Sequence, residues 1–453
     1  MKPLKIKDIV VATNGTLLCG NPDTYVESIC TDTRNIMTGA LFIPLVGEHF
    51  DAHTFIPQAL AKGCIASLSA QKITPGDRPI IMVDDTRHAL GALAAFYRKQ
   101  FSIPLIAVTG SVGKTTVKEL TAAALSTRLC VLKTAGNLNN EIGLPLTLFR
   151  LEDSHQAAIT EMGMSGFNEI DTLARMAAPT IGIVTNIGLS HIEMLGSQEN
   201  IYRAKAELFP HIEPGGILII NGDDPILKAH KDEMPGKVIT VGLTPENDMQ
   251  ATDIISSESG VTFTILWGKE KASVSLQTQG EHNVTNAMLA CAAALCLGLS
   301  LEEAAYGLGN YVPNDKRMQL ISCGDMTLIN DCYNAAPASV EAALKVLCGR
   351  RGRKIAVLGD MKELGVFAEE AHRTIGNQVA TIGVDALFAF GENAKWIAQV
   401  AQTAIPTFHF TDITALTEAL DVFVQPNDTI LIKASRSMQL ERVTEHLIKT
   451  WAK

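Results

Sequence analysis

The amino-acid sequence predicts an α/β protein in three units, residues 1–100, 101–312 and 313–453. Three observations carry this. Apolar runs of strand length alternate with amphipathic stretches of helix length through most of the chain, as when helices wrap largely parallel sheets. One apolar run, Ile103 to Val108, feeds straight into the glycine-rich turn T-G-S-V-G-K-T-T (Thr109 to Thr116), and a helical pattern from Val117 to Leu125 follows. A chain of 453 residues also exceeds what one hydrophobic core organises, so about two to four domains are expected.

Composition narrows the function classes. Hydrophobic residues make up 47% and charged residues 19%, which is a folded composition and not a disordered one. The net charge of -10 argues against a nucleic-acid partner, which needs a basic face. It leaves room for anionic small molecules, because a local cluster of cations can oppose the global sign. The nine cysteines are scattered and form no C-x-x-C pair, the pattern of reduced thiols in a cytoplasmic protein. Charged residues interrupt the first apolar segment, so no signal peptide is read. The longest apolar stretch, Ala287 to Leu301, is too short and glycine-broken for a membrane span. A cytoplasmic protein without membrane insertion is expected.

In the first unit, Ile6, Ile9 and Val10 predict a short helix, and Gly15-Thr16 turns into a strand. Leu41 to Val46 reads as a buried strand. Phe55 to Lys62 reads as a helix closed by Gly63. Ile80 to Val83 is a further strand, and Thr86 to Gln100 an amphipathic helix that stops before Pro104. This is a small α/β domain. Its polar knots are Thr31-Asp32-Thr33-Arg34 and Gly47 to Asp51, which can be turns or ligand contacts; Arg34 can pair a phosphate or a neighbouring carboxylate.

The second unit opens on the glycine-rich turn. Strand, turn, lysine, hydroxyl pair and helix form the layout of a phosphate-binding loop on a mostly parallel, P-loop ATPase-type sheet. Small residues let the backbone N–H groups of Thr109, Gly110, Ser111, Val112 and Gly113 close around phosphate oxygens. The helix N-terminus adds partial positive charge, and Lys114 a mobile cation. Thr115, followed by Thr116, is placed to ligate a Mg²⁺ that bridges phosphates. The general pattern has glycine where Val108 stands, so this is a narrower variant. Downstream, Gly136 to Pro145 crowds Asn137, Asn139 and Asn140 into a glycine-bounded stretch, as turn caps or as ligand-facing amides. The apolar run Ala157 to Thr160 delivers Glu161 at a strand end beside the loop, where such sheets hold a metal. Thr180 to Asn186 is another strand, leading to His191, structural or functional by position. Lys205 lies on a helical stretch from Ile201 to Phe209, where a solvated charge is the ordinary reading. Gly216 to Asp224 and Lys237 to Val241 read as further strands, and Val261 to Ile265 with Val274 to Leu276 as an antiparallel hairpin. Asn283 and Asn286, one helical turn apart, either cap the apolar helix that follows Gly280 or face one ligand.

In the third unit, strands at Met326 to Asn330, Lys354 to Leu358, Ala386 to Phe390, Thr407 to Phe410 and Thr429 to Lys433 alternate with helical patterns. That order predicts a doubly wound, Rossmann-like parallel sheet. Its strand exits carry Asp331 to Pro337, G-D-M-K-E-L-G (Gly359 to Gly365) and Lys433 to Arg436, where ligands of such sheets lie. The unit has no phosphate loop of its own, and reads as completing a site whose nucleotide sits on the second.

Together these stretches resemble the Mur ligase family of ATP-dependent peptidoglycan precursor synthetases, over nearly the whole chain. The resemblance is carried by T-G-S-V-G-K-T-T, E-M-G-M, T-N-I-G-L-S-H-I-E, A-K-A-E-L, G-E-H-N-V-T-N, Arg317 and D-C-Y-N-A-A-P. Within the family, G-N-L-N-N-E-I-G-L-P-L-T-L, D-C-Y-N-A-A-P-A-S and G-D-M-K-E-L-G look like the branch that joins D-Ala-D-Ala to a UDP-MurNAc-tripeptide. The resemblance implies that Lys114 and the loop amides hold the ATP phosphates, and that Thr115 and Glu161 hold one Mg²⁺. It implies a second Mg²⁺ on His191 and on Lys205 carbamylated by CO₂. A free lysine, with a pKa of about 10.4, repels a metal, whereas a carbamate is an anionic oxygen ligand. Asn283, Asn286, Arg317, Asp331, Tyr333 and Asn334 are implied ATP contacts. Thr33, Arg34 and Gly47 are implied UDP-sugar contacts, and Asn137, Asn139, Asn140, Ser435 and Arg436 implied substrate contacts. The first unit would bind the UDP-sugar, and the third would close on ATP and receive the dipeptide. A monomer is expected.

Departures from the family pattern are Thr33 for serine, Ala52 for glycine, Ala336 for asparagine and Ala434 for glycine. Thr33 keeps the hydroxyl, whereas Ala336 and Ala434 bear on how the dipeptide is gripped and leave the ATP and metal set intact. The rival readings are a sister ligase adding a single amino acid, of Mur or polyglutamate type, and a P-loop NTPase that does not ligate. A GTPase switch would need N-K-x-D, and Thr185 to Gly188 is not that motif.

Overall fold

The computed structural model of the chain describes residues 1–74, 76–313 and 317–451. Residues 314–316, just past the expected boundary at 312/313, lie outside the described residues. Among the described residues, three sheets of five, nine and six strands organise the fold, with a two-stranded ribbon, Leu4–Lys5 against Tyr25–Val26, at the start.

The first sheet runs in the order Thr16–Cys19, Ile80–Met82, Ala66–Ser69, Ala40–Phe42, Ser28–Cys30, with only the first pair antiparallel. The strand expected over Leu41 to Val46 ends at Phe42. Pro44 has no N–H for a ladder, and the chain turns away towards a single bridge between Val46 and Asp51. The helix Thr86–Arg98 packs on Ile6–Thr13 and links this unit to the next. Arg98 is 4% exposed, and its guanidinium donates to the carbonyls of Ala177, Phe101 and Ile103.

The nine-stranded sheet places the site. Its order is Glu270–Leu276, Gly260–Trp267, Met249–Ser257, Lys237–Gly242, Ile217–Asn221, Ile181–Val184, Leu105–Thr109, Ala157–Glu161, Val131–Lys133. The first three strands are antiparallel and the other six parallel. The expected hairpin thus gains a third strand, Met249–Ser257, paired in parallel to Lys237–Gly242 at its start. Along Leu105–Thr109 the faces alternate. Leu105 and Ala107 join the core shared with the helices Thr86–Arg98 and Glu169–Ala177, while Ile106 and Val108 join that of Lys114–Leu125 and His282–Cys296. Register then sets the chemistry: Glu161 pairs beside Val108, and Val184 beside Thr109. Three strand exits open side by side.

The six-stranded sheet of the third unit has the order Gln319–Cys323, Met326–Asn330, Thr429–Lys433, Lys354–Gly359, Ala386–Phe390, Thr407–Phe410. Its five expected strands are parallel; Gln319–Cys323 is an added antiparallel edge. Ile355 and Val357 face one core and Ala356 and Leu358 the other, as a doubly wound sheet requires. Among the described residues no helix is long and apolar enough to cross a membrane.

Candidate active site

The loop after Leu105–Thr109 is held open by the neighbouring strand exit. Ser111 N–H donates to Asn186 O, Val112 N–H to Asn186 Oδ1, and Thr185 Oγ1 to Val112 O at 2.6 Å. Gly188 N–H donates to Ser111 Oγ. Two glycines are required. At Gly110, φ is +146° and a Cβ would lie 1.9 Å from Thr185 Oγ1. At Gly113, φ is +87° and a Cβ would lie 2.8 Å from Asn286 Oδ1. Gly113 caps the helix Lys114–Leu125, which starts three residues before the sequence pattern suggests. The helix N-terminus thus opens on the loop, with Lys114 in its first turn. Lys114 Nζ donates to the carbonyls of Gly110, at 2.7 Å, and Ser111. Burial pushes its ammonium below lysine's usual range.

Beside it, Thr115 Oγ1 donates to Glu161 Oε2 at 2.9 Å, and Asn139 Nδ2 to Glu161 Oε1 at 2.9 Å. Thr115 and Glu161 are both buried. Lys118, one turn further along the helix and fully buried, reaches within 3.8 Å of the same carboxylate. It also donates to Thr134 O and pairs with Glu119. Sequence reasoning missed Lys118, although its i+4 spacing from Lys114 puts both on one helix face.

His191 caps the short helix Ile192–Leu195 with φ +65°, and its Nδ1 lies 2.7 Å from Glu363 Oε2 of the third unit. That hydrogen bond holds the Glu363 carboxyl below its usual range. Lys205, on the helix Gln198–Ala206, is 2% exposed. Burial first, and the Lys114 charge second, push its ammonium well below the normal lysine range. Asn283 donates to Gln279 O and Thr278 Oγ1, and Asn286 donates to Asn283 Oδ1. Neither side chain accepts from a helix N–H, so the pair orders the wall next to Gly113 and does not cap.

The third unit supplies the opposite wall. The Arg317 guanidinium lies 4.1 Å over the Tyr333 ring. Asp331 accepts from Met318 N–H and, at 2.6 Å, from Lys433 Nζ, which also donates to Asn334 O. Lys433 is 2% exposed; the sequence reading placed it at a strand exit without a role.

A cavity of about 740 Å³ unites these groups. Of the expected residues, Ser111 to Thr116, Asn139, Asn140, Glu161, His191, Asn283, Asn286, Arg317, Asp331, Tyr333 and Asn334 line it. Thr109, Gly110 and Lys205 are not in its lining. The remaining expected contacts lie away from it. Arg34 is exposed and forks onto Asp32, and Thr33 O accepts from Lys62. Gly47 closes a turn with Phe50 O. Asn137 O accepts from Asn139 N–H, whereas the Asn140 side chain, which also reaches the cavity, accepts from the Ile142 and Gly143 N–H groups where the helix Gly143–Leu148 begins. Ser435 Oγ accepts from Lys362 N–H and ties two loops, and Arg436 pairs with Glu441. Of the departures, Ala336 N–H donates to Ser339 Oγ at the start of Pro337–Cys348. Ala434 is buried with its methyl where Gly359 leaves room; a Cβ on Gly359 would lie 2.6 Å away.

The chain is similar to known proteins over nearly its whole length. Residues 108–294 match the Mur ligase middle domain, and residues 316–436 the Mur ligase, glutamate ligase domain. The UDP-N-acetylmuramoyl-tripeptide–D-alanyl-D-alanine ligase of Bacillus subtilis is 39% identical over 98% of this chain and 98% of its own. The Escherichia coli enzyme of the same name is 35% identical over 94% of both. Among solved structures, MurF from Acinetobacter baumannii superposes with a TM-score of 0.92 at 33% identity, covering 99% of each chain. MurF ligase from Thermotoga maritima in complex with ADP superposes with 0.86 at 27% identity, over 94% of this chain and 97% of that one.

Proposed function

The chain belongs to the Mur ligase family, and from that premise we propose that it joins D-alanyl-D-alanine to UDP-MurNAc-tripeptide in peptidoglycan precursor synthesis. ATP is converted to ADP and phosphate, and the product is the UDP-MurNAc-pentapeptide. The observation that carries this reading is one cavity with a phosphate-binding loop on one wall and Arg317, Asp331 and Tyr333 on the other, in a chain whose relatives match it end to end.

A carboxylate is a poor acylating agent because oxide would have to leave. Transfer of the ATP γ-phosphoryl group to the tripeptide carboxylate gives an acyl phosphate. The dipeptide amine attacks it through a tetrahedral intermediate and phosphate leaves. Negative charge must be held twice, at the phosphoryl group and then at the oxyanion. Lys114 and the N–H groups at the start of its helix suit the first task. Lys114 now donates to two loop carbonyls and can exchange them for phosphate oxygens. Arg317, stacked over Tyr333, offers a second cation, a planar one, from the facing wall.

Mg²⁺ fits the donors present. Thr115 Oγ1 and Glu161 Oε2 form a buried pair of hard oxygens beside the loop. These two residues would hold the ion, with water and phosphate oxygens as its other ligands. Bound there, the ion would supply positive charge against the phosphate groups of the nucleotide. For a second ion, His191 and a carbamylated Lys205 are the proposed holders. Burial keeps Lys205 towards the neutral amine, the form that adds CO₂. Residues 1–100, 101–312 and 313–453 act as UDP-sugar, ATP and closing domains. A monomer is part of this reading, and the UDP-linked and ATP substrates support a cytoplasmic location.

The test is phosphate release from ATP with UDP-MurNAc-tripeptide, with and without D-Ala-D-Ala. Release is expected only when both are present. A panel of single amino acids replacing the dipeptide marks a sister ligase if one of them drives release. Hydrolysis independent of both acceptors marks a non-ligating NTPase and overturns the proposal.

A further inference from the structure

The loop Gly359 to Gly365 of the third unit meets the His191 segment of the second in three ways. Glu363 Oε2 lies 2.7 Å from His191 Nδ1. Glu193 N–H donates to Glu363 O at 3.2 Å. Gly365, with φ +51°, comes so close to Glu193 that a Cβ there would lie 3.0 Å from its side chain. His191 and Glu363 are both non-glycine residues at φ +65°, a conformation kept only where the surroundings enforce it. The carboxylate can only accept, so Nδ1 carries the hydrogen and Nε2 is the ring nitrogen left for a ligand. His191 lines the cavity, whereas Glu363 does not.

We propose that Glu363 is a positioning residue. It fixes the ring and tautomer of His191 from across the junction, so that His191 is in working order only when the third unit is docked. Docking and completion of the phosphate site become one event. Energetically the pair is minor, since 59% of the Glu363 side chain is exposed and such ion pairs add little stability. Its effect is orientation, as when a carboxylate holds a metal-binding histidine by its far nitrogen. The inference rests on the reading of His191 as a metal ligand.

The test is a double-mutant cycle in the full-length protein. Glu363→Ala, His191→Ala, the double variant and Glu363→Gln are assayed for phosphate release with all substrates saturating. Glu363→Ala should lower kcat by about 10–100-fold with an unchanged urea midpoint. Glu363→Gln keeps an accepting oxygen and should recover most of that loss. Adding Glu363→Ala to His191→Ala should cost nothing further. A second readout needs no turnover: Mn²⁺ bound with a non-hydrolysable ATP analogue, counted by electron paramagnetic resonance. Wild type should bind two ions, and Glu363→Ala should bind one of them about 10–100-fold more weakly. Additive losses in the cycle, or a Glu363→Ala variant equal to wild type while His191→Ala is impaired, overturn the role of Glu363 alone. A wild type with one Mn²⁺ site, or a His191→Ala variant with two and normal turnover, overturns the metal reading and this inference with it.

Discussion

Lys118 and Lys205 show how differently two buried lysines can sit in one domain. Lys118 is surrounded by Thr134 O at 2.9 Å, Glu119 at 3.0 Å and Glu161 at 3.8 Å, so its charge is matched and it braces the Glu161 carboxylate. Lys205 has Lys114 as its acting charge, and burial works against its ammonium. In the unfolded chain it holds a proton up to a pKa of about 10.4. Between its depressed folded pKa and that value the unfolded state binds more protons, so stability rises with pH across the window. Lys205→Met is therefore expected to be inactive yet more stable than wild type at pH 7 in CO₂-free buffer. The gap should close as the pH nears about 10.4. Urea midpoints of both proteins across this range check it. A variant less stable at pH 7, or a gap that ignores pH, would mean the ammonium is compensated where it lies. Such a trade of stability for activity is ordinary at working sites.

At the scale of elements, the strand Leu105–Thr109, its loop and the helix Lys114–Leu125 were legible because each local signal agreed with the next: apolar run, small residues, then helix formers. Other elements were not. Val131–Lys133 and Ser28–Cys30 are too short to show a period. Gln319–Cys323 is an edge strand whose outward positions are partly exposed, so its pattern looks like that of a loop. Glu169–Ala177 has a marked apolar stripe at helical spacing, Ile170, Leu173, Ala174 and Ala177, and is legible in the sequence on that ground. The loop's dependence on Thr185 was also out of reach, because only the pairing of Val184 beside Thr109 brings that hydroxyl to Gly110. Gly110→Ala tests this dependence. The added methyl must displace Thr185 Oγ1 from Val112 O, and alanine must adopt φ near +146°. A stability loss of about 1–3 kcal/mol by urea denaturation is expected. Affinity for a non-hydrolysable ATP analogue should fall by calorimetric titration. Unchanged binding would mean the loop can open without that contact.

On the scale of the whole molecule, the site was half legible. The motifs of the second unit declare their chemistry by type and spacing. What the third unit brings does not, because its partners are remote in sequence: Lys433 meets Asp331 across 102 residues, and Glu363 meets His191 across the junction of two sheets. The first-unit knots stay outside the cavity, as expected if the UDP-sugar reaches the reacting centre only with its far, tripeptide end. Arg317 tests whether the two walls act together. Its guanidinium is braced on Tyr333 at 4.1 Å, and it is close enough to Lys114 for the two charges to oppose each other. Two facing cations of that kind are unfavourable until an anion lies between them, so ATP should draw the walls together. Arg317→Ala removes one charge-assisted contact, about 1.5–3 kcal/mol, and should weaken binding of a non-hydrolysable ATP analogue by roughly 10–150-fold in calorimetric titration. It should also abolish the compaction that the analogue induces in wild type by small-angle X-ray scattering. A variant that still binds tightly and compacts would place closure in contacts other than Arg317.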